Sequence, residues 1–136
     1  MIQIPFALNS NLTSGYRTVA QCSGDNFEGL ARQRMESSDY RLVCANYTCR
    51  VGEIDLIMQS KAAIVFVEAG YRHHNTFESA LESIDSKKQT RVIKATQHLL
   101  LANPEFEYRA ARFDVIGFAG DASAPEMHWI ENAFSA

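Results

Sequence analysis

The sequence has few cysteines and lacks the features of a membrane or secreted protein. Its three cysteines, Cys22, Cys44 and Cys49, cannot all pair and form no C-x-x-C motif. We therefore expect reduced thiols in a cytoplasmic protein rather than a disulfide framework or a zinc site. No apolar run approaches the roughly 20 residues that span a bilayer, so no membrane contact is expected. The N-terminus also lacks the basic and apolar regions of a signal peptide.

A positive net charge is absent as well. The formal net charge of −3 disfavours strong general binding to nucleic acid, because proteins of that kind are usually basic overall. A local basic face remains compatible with this charge. Hydrophobic residues make up 46% and charged residues 21% of the 136 residues, which is typical of one globular domain with a single core.

The pattern that is present is one of alternating helices and strands. Residues 1–23, rich in Ser, Asn and Thr, show no periodicity and are predicted to form a flexible arm, followed by a single domain at 24–136. The predicted elements are a helix at 26–37, strands at 40–47, 52–58 and 62–69, a short turn near 76, a long helix from about 85 to 102, and strands at 111–118 and 127–134. This order predicts an α/β or an α+β fold, with a mixed central sheet flanked by helices.

Two of the predicted strands, "GEIDLIM" and "AAIVFVEA", carry the acidic residues Asp55 and Glu68. Strand alternation predicts that Asp55 faces away from the apolar set Ile54, Leu56 and Met58. If the strands form a hairpin, Asp55 and Glu68 meet on one face, where two close carboxylates repel each other unless a cation separates them. Their hard oxygen atoms suit Mg²⁺ or Mn²⁺. The alternative is that both acids lie at strand ends and contact only solvent.

The blocks "GEIDLI", "VFVE", "YR", "RFDVIGF" and "WIENAF" occur in this order, with a helix rich in Lys and Arg before "RFDVIGF". Together they resemble the YraN-like family of uncharacterised bacterial proteins, and the resemblance runs from Gly24 to Phe134. That family is similar to the PD-(D/E)xK nuclease-like superfamily, which includes archaeal Holliday-junction resolvases. The resemblance implies a restriction-endonuclease-like three-layer core and a metal-dependent endonuclease that acts on structured or branched DNA. It also implies a homodimer.

Carried over by position, the resemblance implies that Glu28, Asp55 and Glu68 are catalytic, and that Asp55 and Glu68 bind Mg²⁺ or Mn²⁺. Glu28 has an alternative role, because it follows Asp25 by three residues and could complete a helix capping box. The sequence departs from the motif at Gly70, where the superfamily has a lysine. Either catalysis is lost and the fold serves as a binding or adaptor module, or another cation takes that place. Hydrolysis of a small phosphorylated metabolite is a third hypothesis.

Two residues are candidates for the missing cation. Arg72 shares the predicted strand face of Glu68 and could clamp a phosphate, although it cannot act as a base. Lys88 is the better candidate, because it leads the apolar stripe of the long helix and is expected to point towards the strands; the stripe continues with Val92, Ala95 and Leu99. The alternative for Lys88 is a lysine that extends to solvent from the edge of the core.

A second stripe of the long helix contains Lys87, Arg91, Lys94 and His98. Such a stripe is usually a solvated helix face. Beside a nuclease-like site it would instead contact the phosphates of a nucleic acid, with Arg72, Lys87, Arg91 and Lys94 as the binding residues.

Two further residues are predicted to have structural roles. Asp114 is expected to pair with Arg112 or a neighbouring cation, and Trp129 is expected to anchor the core.

Overall fold

The computed structural model describes the backbone of residues 19–72 and 84–136 and the side chains of residues 27–71, 84–106 and 108–136. The elements are α1 (Val19–Glu36), β1 (Arg41–Cys49), β2 (Gly52–Gln59), β3 (Ala63–Arg72), α2 (Ser86–Ala102), a 3-10 turn (Pro104–Tyr108), β4 (Ala110–Ala119) and β5 (Glu126–Phe134). All five strands overlap the predicted ones. Residues 1–18 of the predicted arm and the predicted turn near residue 76 lie outside the described residues. Residues 19–23, the end of the predicted arm, belong instead to α1.

The five strands form one sheet in the order β1-β2-β3-β4-β5. The strands β3 and β4 are parallel, and the other neighbouring pairs are antiparallel. Parallel neighbours need a long crossover connection, which α2 supplies between β3 and β4. The sheet is therefore mixed, and the predicted α/β class is confirmed.

Each face of the sheet is covered by one helix. The cluster of buried residues under α2 includes Ile57, Ile64 and Phe66. The cluster under α1 includes Met35 and Val65. Because Ile64 and Phe66 face one helix while Val65 faces the other, the predicted alternation in β3 is confirmed. Full burial of one such side chain contributes about 1.5–3 kcal/mol, so both layers stabilise the sheet between them. The result is the predicted three-layer core.

The two helices differ in how well their starts could be predicted. Helix α2 begins at Ser86 as expected, and the Asp85 side chain accepts a hydrogen bond of 2.9 Å from the backbone N–H of Lys88. Helix α1 begins at Val19 rather than at Asn26, so the predicted start was wrong. Ser23, Gly24 and Asp25, residue types that are typical of a helix start, lie inside the helix. A glycine there costs only about 1 kcal/mol, which does not by itself end a helix.

One prediction of strand alternation was also wrong. Ile54 does not share a cluster with Leu56 and Met58, because it packs with Tyr47 on the α2 side. The alternation changes at this point of the β1–β2 pair, where Asn46 has a positive φ of 55°. In β1 this left-handed residue separates Ala45, on the α1 side, from Tyr47, on the α2 side. Their partners Leu56 and Ile54 in β2 show the same change of side.

The remaining general expectations concern cysteines and membranes. Burial raises the pKa of the Cys44 thiol to about 12, so this cysteine is an unreactive part of the core. Cys44 and Cys49 form no disulfide, and the side chain of Cys22 lies outside the described set. Neither of the described helices combines the length and apolar composition needed to cross a bilayer.

Candidate active site

Asp55 and Glu68 meet where the backbone pairing of β2 and β3 stops. The pairing runs from Gln59 opposite Ile64 to Leu56 opposite Val67. Beyond it, the backbone N–H of Asp55 donates to Oε2 of Glu68 at 2.9 Å. In return, the N–H of Ala69 donates to Oδ2 of Asp55 at 3.0 Å. The two carboxylates take the place of backbone carbonyls as acceptors, which holds both acids at the same point of the sheet.

Both acids are poorly stabilised as anions. Glu68 is 0% exposed, and its pKa is raised first by burial and then by the charge of Asp55. Burial also raises the pKa of Asp55, against the opposing effects of Lys88 and of the hydrogen bond from Ala69. A buried carboxylate beside a half-buried one needs a shared proton or a cation. The described residues offset only part of the cost of ionising these two carboxyl groups.

The cation that the structure brings nearest is Lys88. Its Nζ lies 3.6 Å from Oε1 of Glu68, and its side chain is 37% exposed. Oε1 is buried and has no hydrogen-bond partner among the described residues. Lys88 lies in the first turn of α2, which the side chain of Asp85 caps. The predicted direction of Lys88, from the helix towards the acid-bearing strands, is therefore confirmed.

The other predicted site residues are placed as follows. Glu28 lies on α1, which covers the sheet face opposite α2, and is half-buried. Gly70 is buried in β3 and pairs with Gly117 of β4, so no side chain from position 70 reaches the acids. Arg72 ends β3, and its side chain is outside the described set.

The donor set of the site fits one divalent ion with an incomplete protein shell. In the part of the chain that the structure describes, no group of three or more His, Cys, Asp or Glu side chains is arranged to hold a metal. Asp55 and Glu68 are thus two candidate ligands, and Glu28 does not join them in a group of three. Hard carboxylate oxygens and one oxygen without a hydrogen-bond partner suit Mg²⁺ or Mn²⁺, with water or phosphate as further ligands.

A second ion pair lies beside this site, and sequence reasoning missed it. Nη2 of Arg91 lies 3.3 Å from Oε1 of Glu53, and the charge of Glu53 raises the pKa of both Asp55 and Glu68. Glu53 precedes Asp55 by two residues, and Arg91 follows Lys88 by three. This matched spacing of acids on a strand and bases on a helix is the sequence signal that could have predicted the second ion pair.

The remaining residues of the second helix stripe divide into two groups. Lys87 and Lys94 are exposed, as a phosphate-contacting edge requires. His98 instead bonds the core, because its Nδ1 lies 2.7 Å from the hydroxyl of Tyr47. The stripe therefore offers Lys87, Arg91 and Lys94 to solvent.

Asp114 belongs to a different polar centre, on the α1 side of the sheet. Its carboxylate accepts hydrogen bonds from Nε and Nη2 of Arg112, from Nε1 of Trp129 and from the N–H of Asn132, all between 2.8 and 3.1 Å. Arg112 also donates to the hydroxyl of Tyr40 at 2.7 Å. The predicted structural role of Asp114 and the pairing with Arg112 are confirmed.

A mixed sheet between two helices, with paired acids on adjacent strands and a lysine from α2 beside them, defines an α/β protein with one acid–lysine site. The chain belongs to the uncharacterised protein family UPF0102, whose model matches residues 27–118. The family predicted from the sequence is thus confirmed.

Several relatives are similar over most of the chain, and all three below are named UPF0102 protein. The protein of Stutzerimonas stutzeri strain A1501 is 41% identical over 117 residues, which cover 86% of this chain and 98% of the relative. The protein of Nitrosococcus oceani is 39% identical over 111 residues, covering 82% and 90%. That of Alcanivorax borkumensis is 39% identical over 113 residues, with the same coverage.

Among solved structures, the chain is similar to that described as "The structure of Pyrococcus Furiosus SfsA in complex with Ca2+". The TM-score is 0.33 and the sequence identity 13%, with coverage of 82% of this chain and 63% of the other. Similarity at this level supports no functional inference.

Proposed function

We propose that this protein binds nucleic acid and is a metal-dependent endonuclease that acts on structured or branched DNA. One observation carries the proposal: Lys88 Nζ lies 3.6 Å from the buried Glu68 oxygen that has no hydrogen-bond partner among the described residues, beside Asp55. Two acids and a lysine around one point are the groups that metal-assisted cleavage of a phosphodiester requires.

Asp55 and Glu68 would hold one Mg²⁺ or Mn²⁺. When bound, such an ion would activate water and offset the charge that develops on the phosphate. The backbone N–H groups of Asp55 and Ala69 keep one oxygen of each carboxylate in place. This leaves Oε1 of Glu68 oriented by the fold and available to a cation. Preorganised carboxylates of this kind need little rearrangement on binding.

Lys88 supplies the positive charge that Gly70 lacks. It reaches Glu68 from the first turn of α2 rather than from the strand. A donor in this position can orient water or stabilise the phosphate, and loss of one such donor typically lowers a rate by about 10²–10³-fold. Helix α2 thereby provides a function that the superfamily motif assigns to a strand residue.

The strand of DNA would lie along the exposed side of α2. Lys87, Arg91 and Lys94 face solvent there, and three phosphate contacts correspond to a slope of about −3 in log K against log salt. Arg72, at the end of β3, is proposed as a further phosphate contact. This local basic edge offsets the formal net charge of −3. The cytoplasmic location and the homodimer both stay predictions.

The test is cleavage of labelled branched, single-stranded and duplex DNA with Mg²⁺ or Mn²⁺. We expect Asp55→Asn to abolish cleavage, and Lys88→Ala to lower the rate by about 10²–10³-fold. Lys61→Ala, which removes an exposed lysine from the β2–β3 turn, is the matched control and should leave the rate unchanged. Gly70→Lys in the Lys88→Ala background should recover part of the rate. Equal rates for Asp55→Asn and wild type would contradict the proposal.

A second candidate is a binding or adaptor module without catalysis. Gly70 at the lysine position favours it, as does the presence of only two carboxylate ligands among the described residues. Calorimetry with Mn²⁺ separates the two functions. A protein that binds DNA, takes up no Mn²⁺ in an Asp55-dependent manner and cuts no substrate belongs to this second class.

A further inference from the structure

Glu53 and Arg91 form an exposed ion pair, here called the outer ion pair. Their side chains are 48% and 57% exposed and lie 3.3 Å apart. On α2, Arg91 is three residues after Lys88, so the two cations project from the same side of the helix. On β2, Glu53 is two residues before Asp55. The outer ion pair therefore borders the candidate active site on its solvent side.

The backbone holds the outer ion pair in place. A Cβ on Gly52 would lie 1.9 Å from the carbonyl oxygen of Arg91, so the start of β2 and the middle of α2 are in direct backbone contact. Only glycine fits at position 52 in this arrangement. Glu53 and Arg91 consequently start from fixed and adjacent positions, and the contact between their side chains follows from the fold.

Little free energy is needed to break the ion pair between Glu53 and Arg91. An exposed ion pair of this kind contributes little to stability, because water competes for both groups. The planar guanidinium of Arg91 matches a phosphate as well as it matches a carboxylate.

We propose that Glu53 occupies Arg91 when nucleic acid is absent, and that a backbone phosphate of the bound strand displaces Glu53 from Arg91. Glu53 is then an internal competitor that mimics phosphate and lowers affinity, while Arg91 positions the strand beside Lys88. This inference rests on the proposed function, since it requires that nucleic acid binds along α2.

The experiment is a double-mutant cycle on DNA binding, measured by fluorescence anisotropy with a branched DNA over a range of salt concentrations. We expect Glu53→Gln to tighten binding about two- to fivefold, since Arg91 loses its competitor. Arg91→Gln should weaken binding about tenfold and reduce the salt slope by about 0.9. In the Arg91→Gln background, Glu53→Gln should give no further gain beyond that of a control.

The matched control is the exposed pair of Arg32 and Glu36 on α1, whose atoms lie 3.0 Å apart at 45% and 40% exposure. Glu36→Gln makes the same change in charge away from the site and measures the general electrostatic effect. Arg91→Lys, which keeps the charge but not the planar fork, should lose part of the affinity while keeping the salt slope. It also replaces Arg91→Gln if that variant does not fold.

The possible outcomes distinguish displacement of Glu53 by phosphate from the proposed function, which is nucleic-acid binding and cleavage. Binding with an additive cycle, in which Glu53→Gln tightens binding equally with and without Arg91, would overturn the inference and leave the proposed function in place. Weaker binding by Glu53→Gln would do the same. A wild-type protein that binds none of the DNA substrates would overturn the proposed function and the inference together.

Discussion

Two acidic centres in the same sheet are buried to the same extent and compensated very differently. Asp114 is 0% exposed and accepts four hydrogen bonds, two from Arg112 and one each from Trp129 and Asn132. The hydrogen bonds to Asp114 raise the pKa of Arg112, so the guanidinium stays charged. The burial of this carboxylate is offset within the fold.

Glu68 is also 0% exposed, but the described residues give its carboxylate one N–H donor, from Asp55, and a lysine at 3.6 Å. The negative charge of Asp55 destabilises the ionised form of Glu68 further. The comparison teaches that burial of a charge is not itself a sign of function. A buried charge whose compensation is incomplete points to a ligand, whereas a fully bonded one points to architecture.

The largest effect on stability is expected for a substitution that disrupts the fully hydrogen-bonded centre at Asp114. Asp114→Ala should destabilise the protein by about 3–5 kcal/mol, because it leaves Arg112 without its buried partner. Urea unfolding measures the change in free energy. Glu126→Ala, an exposed acid at the start of β5, is the control and should stay within about 0.5 kcal/mol of wild type. A small effect of Asp114→Ala would mean that the centre is not a structural requirement.

The next largest effect is expected from the binding of Mn²⁺ at Asp55 and Glu68. Mn²⁺ at 100 times its dissociation constant should raise the free energy of unfolding by about 2.7 kcal/mol. Asp55→Asn should remove this stabilisation, whereas Lys61→Ala should retain it. Thermal unfolding with and without Mn²⁺ provides the measurement. Equal stabilisation of wild type and Asp55→Asn would place the ion elsewhere.

The smallest effect appears in the pH dependence of stability. Glu68 binds a proton more readily in the folded state, where its pKa is raised from 4.5 to about 8 by burial and by Asp55. Its contribution to stability is therefore fully present below pH 4.5 and is lost as the pH rises through this interval.

At pH 8, Glu68→Gln should thus be more stable than wild type by at least about 1.4 kcal/mol, the free energy of a tenfold change in proton affinity. Below pH 4.5 the two proteins should differ little. Urea unfolding from pH 4 to pH 9 tests this without added metal. A wild type whose stability does not fall towards pH 8 would show that Lys88 already compensates the pair.

Much of the fold could be predicted because its signals are local. Period-two apolar patterns located the five strands, and Asp85 before the apolar stripe of α2 marked the start of that helix. The same stripe predicted the direction of Lys88. These signals depend on neighbours within one or two turns of the chain, which a sequence displays directly.

Other features depended on contacts between distant segments. The packing of Ile54 on the α2 side accompanies the left-handed conformation of Asn46, and no period in β2 reveals it. The bonds from Trp129 and Asn132 to Asp114 arise at the shift in register between β4 and β5. An irregular register moves individual donors by several ångströms, beyond what alternation can predict.

The order of amino acids decided where helices and strands form, which acids lie in the strands and that position 70 carries no cation. Folding decided that Glu68 accepts from the N–H of Asp55 while Asp55 accepts from that of Ala69. It also decided that Lys88 reaches Oε1 of Glu68 and that Arg91 contacts Glu53. The physical reason is the separation along the chain over which each kind of interaction acts. Hydrophobic periodicity and capping act between near neighbours in the chain, whereas electrostatic compensation depends on distances of a few ångströms between groups that only the packed sheet and helices bring together.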